Sequence, residues 1–261
     1  MDKRAGERLG TPADGWIALG ADTEMGPSHA QGSSGEAAWS LNYVPEEAEL
    51  RHLSPDWLYR SPLPRTKLTS PAPAARFDGR LELPGKRAIE LRGWRGMVGH
   101  NWGSEHAERW IWLHGIDFEQ APGAWLDIAL GRVLLAGRLT PWIASGTLSM
   151  DGRRRPIGFL QARGARVQEG VGGCHVRLAG KSGGSIEIEA EVPSGSAAGW
   201  RYANPDGDEH DVVNCSIATL HVSVKAPGSA PRTLSTAHGG AYELGMRERD
   251  HGVAIAPFPD G

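Results

Sequence analysis

Three histidines fall within fifteen residues of one another: His100, His106 and His114. Asn101, Glu105 and Arg109 stand among them, and six of the ten tryptophans lie between Trp94 and Trp142. Imidazole and carboxyl groups inside aromatic walls suit proton transfer, because burial moves a His or Glu into the working pH range. Metal binding fits less well. His100 and His106 lack the i, i+4 spacing of a helical zinc pair, and no HExxH is present. The bland alternative is structural, with imidazole and amide tying down backbone at a Gly-bounded corner. The candidate catalytic residues are therefore His100, Glu105 and His106, with Asn101, Trp102, Arg109, Trp110, Trp112, His114 and Asn214 as substrate-binding candidates and no metal site. Asn214 enters only as a residue that would complete a site with His100.

These side chains need strands to position them. Over Arg109 to Gly115, strand geometry puts Trp110, Trp112 and His114 on one face and Ile111 and Leu113 on the other. Both faces read as buried, one against a core and one against an aromatic, polar-lined interior. The run Ser185 to Val192 alternates Ile and Ala with Glu, the pattern of a half-wet antiparallel wall. Similar short runs recur from Ala37 to Met246, punctuated by Gly or Pro. The expected class is all-β, an antiparallel sandwich or barrel. Residues 1–35 read as a poorly ordered, Gly-rich segment ending in Gly32-Ser33-Ser34-Gly35. Pro62, Pro64, Pro71 and Pro73 argue against a regular helix or central strand there. Lys181 to Gly184 and Asn204-Pro205-Asp206-Gly207 read as turns.

The chain has 261 residues and a formal charge of −3, with 36 Gly and 10 Trp against four Phe and four Tyr. Near-neutral charge gives no general drive towards nucleic acid. Arg153-Arg154-Arg155 reads as a solvated turn. No apolar run approaches the roughly 20 residues that span a bilayer, and no secretory signal core opens the chain, so a cytoplasmic location is expected. Cys174 and Cys215 read as buried thiols, with a single bridge left open. No nucleophile elbow, Walker A loop or dinucleotide fingerprint occurs.

The piece Gly99-His100-Asn101-Trp102-Gly103, followed by Trp110-Ile111-Trp112, resembles the lipocalin-like superfamily of carotenoid 1,2-hydratases (hydroxyneurosporene synthases), tocopherol cyclases and AttH-like proteins. The resemblance covers residues 36–250 and is specific in this one motif. It implies two lipocalin-like β-barrels or half-barrels with an apolar cavity. Domains would span 36–118 and 119–261. It also implies isoprenoid or polyketide-like substrates and protonation-driven hydration or cyclisation with no redox cofactor. His100 matches the motif histidine, Asn101 its amide and Trp102 its aromatic wall. Gly99 stands where those enzymes carry Asp, so Glu105 or His106 is the expected substitute. About three strands precede His100 in this reading, so the first barrel is short, incomplete or finished by another chain. Two functions follow: an enzyme moving protons on an apolar molecule, or a carrier holding a hydrophobic small molecule without chemistry. A sugar-binding sandwich is a third reading, since Trp faces also stack on pyranose rings.

Overall fold

A computed structural model describes residues 17–19, 22–158, 165–180, 184–204 and 207–256. Part of the expected poorly ordered segment, residues 1–16, 20 and 21, lies outside the described residues. So do Lys181 to Gly183 and Pro205 and Asp206 of the expected turns.

The described chain is strand throughout, apart from turns, loops and one 3-10 turn at Asp56–Tyr59. Seven strands form the first sheet: β1 (Ile17–Leu19), β2 (Thr23–Met25), β3 (His29–Ser34), β4 (Ala37–Pro45), β5 (Leu50–Arg51), β6 (Thr66–Glu82) and β7 (Ile89–Gly103). Its order is β1-β2-β3-β4-β6-β5, with β7 also on β6. The later strands are β8 (Arg109–Gly115), β9 (Trp125–Arg132), β10 (Leu134–Leu135), β11 (Arg138–Leu139), β12 (Ile143–Met150), β13 (Arg153–Ile157), β14 (Arg166–Gly170), β15 (Gly173–Ala179), β16 (Ser185–Glu191), β17 (Ala198–Ala203), β18 (Glu209–Lys225) and β19 (Arg232–Met246). Ten of them make a sheet of order β13-β12-β9-β8-β19-β18-β16-β15-β14, with β17 also on β18. β10 and β11 pair only with each other. The all-β class expected from the strand pattern is what the chain adopts.

Three local expectations change. Residues 17–34 carry β1 to β3 instead of a linker, and the sheet that leads to His100 has seven strands where about three were expected. β6 is a regular strand in spite of Pro71 and Pro73. Ser70 is its last residue paired to β5, and Ala75 its first paired to β4. The prolines thus fall in the gap between two partners, where no ladder donor is needed on that edge.

Among the described residues, 17–49 with 71–98 form one compact unit, and 50–70 with 99–256 form the other. The sequence reading divides the chain after residue 118 instead. The first unit has a small core of Tyr43, Ala72, Ala75 and Val98, with Phe77 against Tyr43 at 5.3 Å between ring centroids.

In the second unit the curled ten-stranded sheet buries one face around a single apolar core. Ile111, Leu113, Leu126, Ile128, Leu148, Val176, Ile188, Val213, Leu220 and Leu244 belong to it. Each is separated by two along its strand from the next core residue, as pleating requires. Cys174 and Cys215 are buried free thiols, and burial pushes Cys174 up to about 12, which removes it as a nucleophile. Leu113→Ala should lower stability by about 2–5 kcal/mol. Leu135→Ala, on the exposed β10, should change it by no more than about 0.5 kcal/mol. Urea unfolding midpoints of the two variants check the contrast.

Candidate functional site

The strands that build this core present a second face of different chemistry. On β8 the core residues Ile111 and Leu113 alternate with Trp110, Trp112 and His114, as the sequence pattern predicts. Register extends that face sideways. Trp112 lies opposite Glu243 and His114 opposite Asp127. Glu243 lies opposite Asn214, Gly245 opposite Val212, and His210 opposite Tyr202. One side of β9, β8, β19, β18 and β17 therefore carries Asp127, the β8 aromatics, Glu243, Asn214, His210 and Tyr202.

Two groups form on this face. The first centres on His106, just before β8. Its ring stacks on Tyr202 at 5.2 Å and on Trp110 at 5.3 Å. Its backbone N–H and its Nδ1 both reach Asn204 Oδ1, at 3.0 and 2.7 Å. The backbone donor fixes that atom as the amide oxygen, so Nδ1 must carry the proton. In the neutral ring, Nε2 is then the basic nitrogen. Trp110 Nε1 donates to Glu243 Oε1 at 2.9 Å, and Asn214 Nδ2 approaches Oε2 at 3.5 Å. Burial raises the Glu243 carboxyl above its ordinary value, and the Trp110 and Asn214 hydrogen bonds oppose this only in part. His210 is fully buried beside Trp110, at 5.3 Å, and His106, at 6.1 Å. Neither of its nitrogens has a hydrogen-bond partner among the described residues. Burial first, then the Arg247 charge, lowers its pKa.

The second group is built around the buried side chains of Asp127, Ser70 and His52. Asp127 accepts from Trp112 Nε1 at 3.0 Å on Oδ1 and from the Ser70 hydroxyl on Oδ2. His52 Nε2 lies 3.5 Å from Oδ2 and 3.3 Å from Ser70 Oγ, while Nδ1 donates to the Ser145 carbonyl at 3.2 Å. Both ring nitrogens thus face acceptors. Burial alone would raise the Asp127 carboxyl, but the His52 hydrogen bond and charge, His114 and Ser70 outweigh it and hold the carboxyl below its usual range.

The sequence candidates divide accordingly. His106, Trp110 and Asn214 come together, with Asn214 reaching Glu243 rather than His100. Trp112 and His114 belong to the Asp127 group. His100 is half-buried and stacks on Trp102 at 5.0 Å, and Trp102 stacks on Tyr59 at 6.0 Å. Burial lowers the His100 pKa. Asn101 is exposed. Glu105 is ion-paired with Arg65. Arg109 points away from Trp110 and is held by Glu169 at 2.8 Å and Glu248 at 2.7 Å. Sequence reasoning missed Asn204, Glu243, His210, Asp127, His52 and Ser70 as site residues. Only Asp127 carries a signal, as a lone acid in the apolar run Trp125 to Leu130. Among the described residues no group of three or more His, Cys, Asp or Glu is placed to hold a metal ion. No helix among them is long and apolar enough to cross a membrane.

No protein-family model matches the chain. It is 28% identical over 264 residues to an uncharacterised protein of Mycobacterium tuberculosis found in strains CDC 1551 and H37Rv, covering 99% of this chain and 75% of that one. Among solved structures it superposes on CghA with a TM-score of 0.52 at 14% identity, covering 85% of this chain and 65% of CghA. Its fold is that of CghA. This is the all-β, lipocalin-like class implied by the His100-Asn101-Trp102-Gly103 motif. Kievitone hydratase from Nectria haematococca matches at 0.47 with 10% identity, over 93% of this chain and 69% of the hydratase. An AttH candidate from Nitrosomonas europaea matches at 0.48 with 14% identity, over 83% and 63%. The chain spans less than two thirds of CghA and of the AttH candidate.

Two predictions test the geometry. The Trp110 indole lies directly over Gly245, where a Cβ would overlap its ring atoms. Gly245→Ala should displace Trp110 from Glu243 at a cost of about 1–3 kcal/mol, read from urea unfolding together with a changed near-ultraviolet circular dichroism band. Asp127 is depressed in the folded state, so its contribution is complete above its unfolded value, about 3.9, and is lost as pH falls through the folded value. Asp127→Asn should lose about 3–5 kcal/mol at pH 7, and the gap to the parent should narrow under acid. Urea unfolding at neutral and acid pH decides it.

Proposed function

We propose that the chain is a cofactor-independent enzyme of the hydratase or cyclase type, moving protons on an apolar isoprenoid or polyketide-like molecule. The observation that carries this reading is the pairing of His106 and Glu243 on one aromatic face. His106 offers a basic Nε2, with its Nδ1 proton committed to Asn204. Glu243 is a carboxyl that burial biases towards its protonated form. Environments that favour a base in one group and an acid in its neighbour are how acid–base roles are divided at neutral pH. Oε1 accepts from Trp110, so Oε2, with only the long Asn214 contact, is the oxygen that carries the transferable proton.

In this reading Glu243 delivers its proton to a double bond. The positive charge that develops is stabilised by the π face of Trp112. His106 Nε2 then removes a proton, from an attacking water in hydration or from a neighbouring C–H in cyclisation or isomerisation. Trp102 and His100 would line the approach of the substrate instead of reacting with it. Glu105, Arg109 and His114 would hold the surrounding strands and loops through their own partners.

The test is incubation of the purified chain, without added cofactor, with a panel of acyclic polyenes and polyketide phenols, followed by mass spectrometry. Hydration adds the mass of water, and cyclisation shifts retention at constant mass. His106→Ala and Glu243→Gln should each lower turnover by about 10²–10⁴-fold. Because Glu243 is raised by folding, its ionisation opposes the folded state as pH increases. Glu243→Gln should therefore be at least as stable as the parent at pH 7 while inactive. Parental turnover in His106→Ala sinks the mechanism. Recovery of one unmodified ligand after long incubation would make the chain a carrier.

A further inference from the structure

β10 and β11 form a ribbon that joins neither large sheet. Ala136 and Gly137 both have positive φ, 49° and 74°, and close it with a two-residue turn. Its apolar residues are not covered: Leu134 is 56% exposed, Leu135 67%, and Val133 and Leu139 38% each. Leu134 lies opposite Leu139, and Leu135 opposite Arg138. Successive residues of a strand point to opposite sides, so Leu134 and Leu139 project from one face and Leu135 from the other.

That two-sided exposure decides what kind of partner fits. A protein surface covers one face of a ribbon and leaves the other in water. A lipid phase surrounds both. Charge points the same way. No Asp or Glu occurs between Ile128 and Met150, whereas Arg132 stands at the base of the ribbon and Arg138 beside its turn, opposite Leu135. Neither arginine is paired with a carboxylate among the described residues. Arg132 is braced at the base by the Thr140 carbonyl at 2.9 Å and lies 5.9 Å from the Trp142 ring. Arg132 and Trp142 at the base of an apolar ribbon match the order of a membrane interface, with cations and indoles at headgroup depth and leucines beneath, and the long side chain of Arg138 can snorkel from beside the turn back to the same depth.

We propose that residues 133–139 dock the protein on an anionic lipid bilayer, with Leu134, Leu135 and Leu139 entering the boundary between headgroups and acyl chains and Arg132 and Arg138 meeting lipid phosphates. Interfacial binding of this kind adds apolar burial to attraction for anionic lipid. The docking residues include neither His106 nor Glu243, and the proposal does not depend on any catalytic role for them.

The experiment is flotation of the purified full chain with phosphatidylcholine vesicles, with and without phosphatidylglycerol, at low and high salt. The parent should float with the mixed vesicles and less so as salt rises. Leu134→Glu with Leu135→Glu should lower the bound fraction at least about tenfold, because two apolar burials are replaced by charges. Arg138→Gln should weaken the preference for phosphatidylglycerol alone. Circular dichroism confirms that the variants fold, and Leu135→Asn carries the test if the double variant does not. No flotation of the parent, or equal flotation of parent and leucine variants, overturns the proposal. Loss of a parental dimer in sedimentation velocity without any vesicle binding would assign the ribbon to a second copy of the chain instead.

Discussion

A carboxylate with no access to water organises the second unit. Asp127 sits on β9 with its neighbours Leu126 and Ile128 in the core, and its own side chain faces the other way. An isolated charge there would cost several kcal/mol. It is met instead by an indole, a hydroxyl and an imidazole, from Trp112, Ser70 and His52. Two of those partners come from the excursion at residues 50–70, which otherwise has few ladder bonds of its own. The Ser145 hydroxyl donates to the His52 backbone carbonyl and reinforces the attachment. Meeting the needs of one carboxylate therefore fixes where that excursion lies on β9, β8 and β12, and fixes the rotamer of Trp112 as well.

The same sheet runs two electrostatic regimes a few strands apart. At Asp127 the donors and the neighbouring imidazoles overcome burial, and the charged form is favoured. At Glu243 the donors are an indole and a distant amide, and burial wins. Both carboxyls receive a tryptophan N–H from β8, so the indoles do not make the difference. What separates them is the His52 imidazole and the Ser70 hydroxyl, present at one and absent at the other. A charged anchor and a carboxyl biased towards its protonated form can thus be made from one recurrent pairing by adding or withholding a second donor set.

How much of this was legible follows from how local each signal is. The alternation in Arg109 to Gly115 is confined to seven residues, and it placed Trp110, Trp112 and His114 on a common face correctly. The strand at Ser185–Glu191 was legible for the same reason. Glu243 was not, because an acid between Tyr242 and Leu244 reads as the wet side of an ordinary strand. Only its cross-strand neighbours Trp112 and Asn214 show that this side is occupied. His106 and Asn204 are 98 positions apart, and no pattern in either segment announces their bond. His100 drew attention through its motif, yet its ring contact is with Trp102 two residues along the same strand. The prolines of β6 misled because their effect depends on which edge of the strand is in use, a property of the pairing and not of the residue.

The strict alternation on β8 also bears on how such a surface can change over generations. A single residue inserted or lost within Arg109–Gly115 would exchange the two sides of the strand beyond that point. Indoles and imidazole would be driven among Leu126, Ile128 and Leu244, and Ile111 and Leu113 turned outward. The set of groups on this face can therefore be revised one substitution at a time but not by a change of length. Variation in length is left to the connections, such as the one from Arg132 to Trp142, where no buried side is at stake.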